Sequence, residues 1–211
     1  MPPAPPCRVQ VVSRVLSPTV AYATRKGERQ AERIIDAAYE CLAGYGYSAT
    51  SMQRIADAAG VNKRMLHYYF ETRERLFDQV ARRVGDRVLA QVEEAIAGLE
   101  EPAEIVSSGF DRLWSEITSD SQLQAVYFGL AAESVTDPTL KRTLSYVNDG
   151  YRELIHRLFV DIGKRGYRLR MDEGSMTVLT IAAIQGFTLQ FLERGENPEL
   201  KRAIEDFKRW L

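Results

Sequence analysis

The chain has 211 residues, 45% hydrophobic and 27% charged, with a formal net charge of -1 and only two cysteines and two histidines. This composition fits a soluble globular protein with one sizeable core, or a small domain on a larger body, and is too polar for a membrane protein. Cys7 and Cys41 lie far apart with no C-x-x-C pair and no histidine cluster, so neither a disulfide framework nor a metal site is indicated, and a cytoplasmic location is expected.

The start, MPPAPPCRVQVV, lacks the continuous apolar run and cleavage site of a secretory signal. Residues 1–26 mix proline, valine and serine without helical period and read as a flexible arm. Arg8, Arg14, Arg25, Lys26 and Arg29 make the first 29 residues cationic, with Glu28 the only acid. Regular structure is expected from near Gly27. Ile34, Ile35, Ala38, Tyr39 and Leu42 recur at three- and four-residue steps, which gives an amphipathic helix ended by Gly44 and Gly46. Short helices follow at about 51–58 and 62–69, then a long one at about 73–97.

After Pro102 the pattern restarts. Ile105, Phe110, Leu113, Trp114 and Ile117 line one helix, and Leu123, Val126, Tyr127 and Leu130 the next. Pro138 suits the first turn of a third, whose apolar stripe from Leu140 to Ile162 runs to Gly163 and Gly166. A nearly uncharged helix from about Met176 and a terminal helix near 199–210 complete the chain. The stretch 175–192 approaches a membrane span in length, but Gln185, Gln190 and its threonines favour a core or interface helix. Alternating β pattern and internal repeats are absent, so the expected class is all-α.

The stretch Thr50–Phe70, TSMQRIADAAGVNKRMLHYYF, carries the chemistry. Thr50 and Gln53 have capping-box spacing. Ala56 is small enough for a second helix to cross closely. Gly60 can take a left-handed conformation to turn the chain, while Val61 and Leu66 lock the second helix across the first. That is a helix-turn-helix. Val61, Leu66, Tyr69 and Phe70 fall on its inner face, and Lys63, Arg64, His67 and Tyr68 on the opposite one. Two cations, an imidazole and a phenol on a short free helix suit the major groove and its flanking phosphates. A helical hairpin with a solvated charged face is the plainer alternative, and the combined spacing of Ala56, Gly60, Val61 and Leu66 weighs against it. Charge is also uneven. Residues 1–84 carry 13 Lys and Arg against eight Asp and Glu, a net +5, and the remaining residues 15 against 21, a net -6. A basic head on an acidic body fits DNA reading.

Through IADAAGVNKRMLHYYF, followed by Arg73 and Leu76, the sequence resembles the TetR family of transcriptional regulators over about residues 28–85. His67 stands where that family usually has tyrosine, and Arg73 where it usually has lysine. The resemblance implies a three-helix N-terminal helix-turn-helix head at 27–72, with a larger helical ligand-binding and dimerisation body at 73–211. It further implies a homodimer on a double-stranded, near-palindromic operator, released by a small molecule. By position, the DNA-facing set is Thr50, Ser51, Arg54, Lys63, Arg64, Met65, His67, Tyr68, Tyr69 and Arg73, with Arg73 on phosphate.

In the body, Phe110, Trp114, Tyr127 and Phe187 are the pocket candidates, and the few charges among them favour an apolar or aromatic effector. A stripe of aromatics is otherwise plain core. Helices near 138–162 and 175–193 are the dimer candidates, with Ala182, Ala183 and Gly186 permitting close approach. No cofactor and no membrane partner is expected. An enzyme is the competing class, yet His67 and His156 have no nucleophile or phosphate loop to work with; a partner-binding helical protein is the second rival.

Overall fold

The computed structural model describes residues 25–211. The proposed arm, 1–26, lies outside the described residues except for Arg25 and Lys26, which open the first helix. Ten α-helices follow in order: α1 Arg25–Ala49, α2 Met52–Ala58, α3 Lys63–Phe70, α4 Arg73–Ile96, α5 Pro102–Glu104, α6 Phe110–Ser119, α7 Ser121–Glu133, α8 Pro138–Lys164, α9 Glu173–Arg194 and α10 Pro198–Trp210. A π-helical stretch, Ile105–Gly109, joins α5 to α6. There is no strand among the described residues.

Short polar side chains set many of these boundaries by accepting from amides that the first turn leaves unpaired. Asn62 accepts from Met65 N at 2.7 Å, Asp120 from Leu123 N at 3.1 Å, Asp172 from Ser175 N at 3.0 Å and Asn197 from Leu200 N at 2.9 Å. Pro138 and Pro198 each occupy a first helical position, where a missing amide costs nothing. α1 Arg25–Ala49 is interrupted at Gly46, one of the two glycines expected to end it. The backbone there has φ 73° and ψ 175°, and one further turn reaches Ala49.

The described residues pack as two compact units that do not follow chain order. One holds α1 to α3, α4 as far as Leu89, α7, and α8 as far as Tyr151. Its core joins Ile34, Ala38, Ile55, Leu66 and Phe70 to Phe77, Leu123, Leu130 and Leu140. Three helices of this length bury little apolar surface on their own, and here α4, α7 and α8 add to the core. Asp78 is buried in this unit and accepts from Arg82 Nε at 2.9 Å and from the Thr143 hydroxyl, tying α4 to α8. Cys41 is a free thiol in the same core.

The second unit holds α4 from Ala90, α5, α6, α8 from Arg152, α9 and α10. An aromatic cluster anchors α10 here. Phe207 meets Phe110 edge-on at 6.2 Å and Phe187 at 5.7 Å, and Trp114 meets Phe191 at 5.8 Å. α9 is apolar and long enough to cross a membrane by composition, yet only 22% of its most apolar window is buried. Val178, Leu179 and Leu189 are exposed. One face of α9 is therefore uncovered in the single chain, while Met176, Thr177, Thr180 and Thr188 are buried.

Candidate nucleic-acid interface

α2 and α3 cross through a tight turn. Gly60 adopts φ 64°, the left-handed region that costs other residues energy. A Cβ there would meet only Arg33 Nη2, at 3.9 Å, so backbone conformation rather than space requires glycine. Gly60 N donates to Asp57 O at 3.2 Å and Val61 N to Ala56 O at 2.9 Å, closing the turn. Ile55, Ala56, Leu66 and Phe70 are buried beneath it.

With Leu66 and Phe70 fixed inward, the rest of α3 faces outward. Lys63, Arg64, Met65, His67 and Tyr68 are exposed and Tyr69 is half-buried. Tyr68 is the extreme, 82% exposed. An aromatic side chain that large is normally covered, and its ring is braced edge-on by Tyr69 at 5.4 Å. The His67 Nδ1 lies 3.0 Å from Glu71 O, which ties the ring to the carbonyl that ends the helix. Glu71, at φ 27°, is the one non-glycine residue with positive φ among those described.

Ser51 rather than Thr50 caps α2. Its Oγ accepts from Arg54 N at 3.2 Å, so the expected Thr50–Gln53 capping box does not form. Gln53 turns away and donates to Asp57 Oδ1 at 2.8 Å. Thr50 is 1% exposed and donates to Gly46 O at 2.7 Å and Cys41 O at 3.0 Å. The hydroxyl, with one hydrogen to share between the two carbonyls, ties the segment after the break at Gly46 back to α1. Of the proposed DNA-facing residues, Thr50 thus has its side chain inside the protein.

Arg54 is exposed, stacked 4.2 Å over the Tyr45 ring and donating to Ala49 O at 2.6 Å. Arg73 is more deeply engaged. Its Nε donates to Thr50 O at 3.1 Å and its Nη2 to Tyr47 O, while the guanidinium lies 4.4 Å from the Tyr47 ring and 4.7 Å from that of Phe77. Burial pushes the Tyr47 phenol upward, and Arg73 pulls the other way. Arg73 therefore clasps the α1–α2 junction from the start of α4, rather than standing free as a phosphate ligand.

The four pocket candidates separate. Phe110 lines a cavity of about 70 Å³. Trp114 and Phe187 belong to the aromatic cluster that holds α10. Tyr127 lies in the core of the head-containing unit and donates to Asn148 Oδ1 at 2.9 Å; burial raises its phenol. The cavity lies wholly within the second unit, walled by the end of α4, the π-helical stretch, the start of α6, α8 from Ile155, α9 and Leu211. Its walls are chiefly Ile, Leu and Val. The aromatic candidates share only Phe110 with this aliphatic set, which helical spacing alone does not distinguish from plain core.

Comparison with known proteins fits this geometry. The family described as bacterial regulatory proteins, tetR family, matches residues 34–80, which take in α2, α3 and the start of α4. The chain is 25% identical over 157 residues to the HTH-type transcriptional activator FasR of Mycolicibacterium smegmatis, covering 74% of this chain and 70% of that one. It is 33% identical over 72 residues to the HTH-type transcriptional regulator RutR of Escherichia coli, 34% of each chain. Among solved structures, a TetR transcription regulator from Haloarcula marismortui shares the fold with a TM-score of 0.73 at 18% identity, over 87% of this chain and 96% of that one.

Proposed function

We propose that the chain, whose residues 34–80 match the family of bacterial tetR regulators and which resembles such regulators over most of its length, is a repressor of that family that binds a near-palindromic operator as a homodimer and leaves it when a small apolar effector binds. The head, 27–72, reads DNA in the cytoplasm, and 73–211 carries pairing and effector binding. The observation that carries the DNA-reading role is α3. It is locked by Leu66 and Phe70 on one side and presents Lys63, Arg64, His67 and Tyr68 on the other. Lys63 and Arg64 have the chemistry to donate to guanine O6 and N7, and the Tyr68 hydroxyl to reach phosphate.

Pairing is assigned to α8 and α9, near 138–162 and 175–193. An exposed apolar face on a soluble protein marks an interaction surface, and α9 offers Val178, Leu179 and Leu189. Exposed Ala182 and Gly186 lie on the same helix and allow a second copy to approach closely. A two-fold pair places its recognition helices about 34–36 Å apart, on successive major grooves.

The release mechanism follows the continuity of α4. This helix begins at Arg73, just after α3 ends, and its last turns, at Val92 and Ile96, wall the cavity. A tilt of α4 changes the spacing of the paired α3 helices, whereas groove spacing is fixed. An effector lowers operator affinity if it binds the tilted state better, and by linkage the operator lowers effector affinity by the same factor. FasR is named an activator, so the sign of regulation is tested directly. Transcription from the operator-bearing promoter is measured with the protein added and then with effector. Falling and recovering transcript is the expected result; a rise on adding protein alone overturns the repressor reading.

A further inference from the structure

The cavity carries information about the ligand that goes beyond its being apolar. Three threonines of α9 are buried. Thr177 donates to Glu173 O at 2.6 Å and Thr188 to Ile184 O at 2.8 Å, the usual return bond to the preceding turn. Thr180, 6% exposed, makes no such bond, and its Oγ1 has no hydrogen-bond partner among the described residues. It lies in the cavity wall. A buried hydroxyl without a partner is costly and uncommon, and here the apolar cavity is the space beside it.

We infer that this cavity holds a small neutral aliphatic molecule bearing one oxygen, an alcohol or a ketone, hydrogen-bonded to Thr180 Oγ1. The inference rests on the sensor reading above and names the chemical class of the effector. Size follows from the volume of about 70 Å³. One water needs about 10–15 Å³ measured this way, so the space is several times that minimum and admits a ligand of about six or seven heavy atoms. Neutrality follows from the lining, which contains no Lys, Arg or His; a carboxylate there would be buried without a counter-charge. Aliphatic character follows from walls dominated by branched methyl groups such as Ile96, Ile105, Leu158 and Ile184, with Phe110 and Phe159 the two rings among the lining residues. The nearby rings of Trp114, Phe187 and Phe207 are spent on holding α10. The π-helical stretch forms part of the same wall. Such irregularities in helices gather at functional sites.

The test uses the full chain, with 1-hexanol, 2-hexanone, hexanoate and benzyl alcohol as probes in calorimetric titrations at pH 7. Hexanol is expected to bind more tightly than hexanoate or benzyl alcohol. Thr180→Val should weaken hexanol about fivefold, and Thr180→Ser should restore it to within about twofold. Binding of hexanone shows Thr180 donating, since a ketone only accepts. Without ligand, Thr180→Val should not lower the thermal midpoint, whereas a threonine with a merely structural bond would. Hexanoate binding as tightly as hexanol, or Thr180→Val leaving hexanol unchanged, overturns the inference. Operator affinity is measured alongside. Hexanol bound through Thr180 without any loss of operator affinity supports the cavity assignment and overturns the sensor reading. Operator release by benzyl alcohol, equal in wild type and Thr180→Val, overturns the assignment and leaves the sensor reading in place.

Discussion

Replacing Arg73 with alanine separates two roles that the sequence alone runs together. On the resemblance, this cation binds phosphate. In the structure its guanidinium donates to the carbonyls of Thr50 and Tyr47 and packs between the Tyr47 and Phe77 rings. Hydrogen bonds from a charged group contribute about 1.5–3 kcal/mol each when well made, and a cation–π contact at a half-exposed site about 0.5–1 kcal/mol. Arg73 is only half-buried and Tyr47 O also accepts from Thr50 N at 3.3 Å, so the sum is discounted. Arg73→Ala should cost about 2–4 kcal/mol, a large share of the roughly 5–15 kcal/mol that holds a protein folded. For a chain of this size that lowers the thermal midpoint by roughly 5–15 °C. Arg73→Lys should recover less than half, because an ammonium cannot span both carbonyls and both rings. The assays are thermal unfolding by circular dichroism and operator titration over a salt series. If Arg73→Ala leaves the midpoint within about a degree and flattens the salt slope by about 1, a single lost phosphate contact explains it and the clasp is refuted.

Lys63→Ala or Arg64→Ala should leave the midpoint unchanged and weaken specific binding by about 1–3 kcal/mol if the side chain reads a guanine; operator and scrambled duplex titrated at matched salt give the difference. Ala182→Arg, at an exposed position on the apolar face of α9, should give a folded monomer by sedimentation and lose operator affinity with it. Hydrogen bonds from the Ser175 side chain, and then from the amides around it, hold the Asp172 carboxyl below its usual range. A carboxyl so lowered contributes stability that is complete above its unfolded value and is lost as pH falls through the folded value. Wild type should therefore lose its margin over Asp172→Ala only below about pH 4 in unfolding titrations.

The helices and the turn were legible because their signals are local. Gly60 four residues after Ala56, with Leu66 and Phe70 at helical spacing, specifies a crossing that the structure realises at φ 64°. Spacing also gave the exposed face of α3, because burying Leu66 and Phe70 leaves Lys63, Arg64, His67 and Tyr68 outside. What was not legible depends on partners distant in sequence. Thr50 reads as a cap until the break at Gly46 turns its hydroxyl back onto α1. Arg73 reads as a free cation until Tyr47 and Thr50 are brought beneath it. The aromatics of the body follow the same rule. Trp114 and Phe187 have helical spacing suited to a pocket or a core, and only the placement of α10 assigns them to packing. Tyr127 is occupied by Asn148, a pairing across two helices that periodicity does not reveal.

Selection from randomised DNA duplexes with the purified full chain, followed by titration of the enriched duplex, tests the central claim most directly. The account predicts an inverted repeat whose half-site centres lie one helical turn or a little more apart, bound by two chains. Affinity should fall steeply with salt, and the Lys63→Ala, Arg64→Ala double variant should lose the preference over random duplex. No enriched sequence, or an enriched duplex bound equally well by the double variant at matched salt, would contradict it.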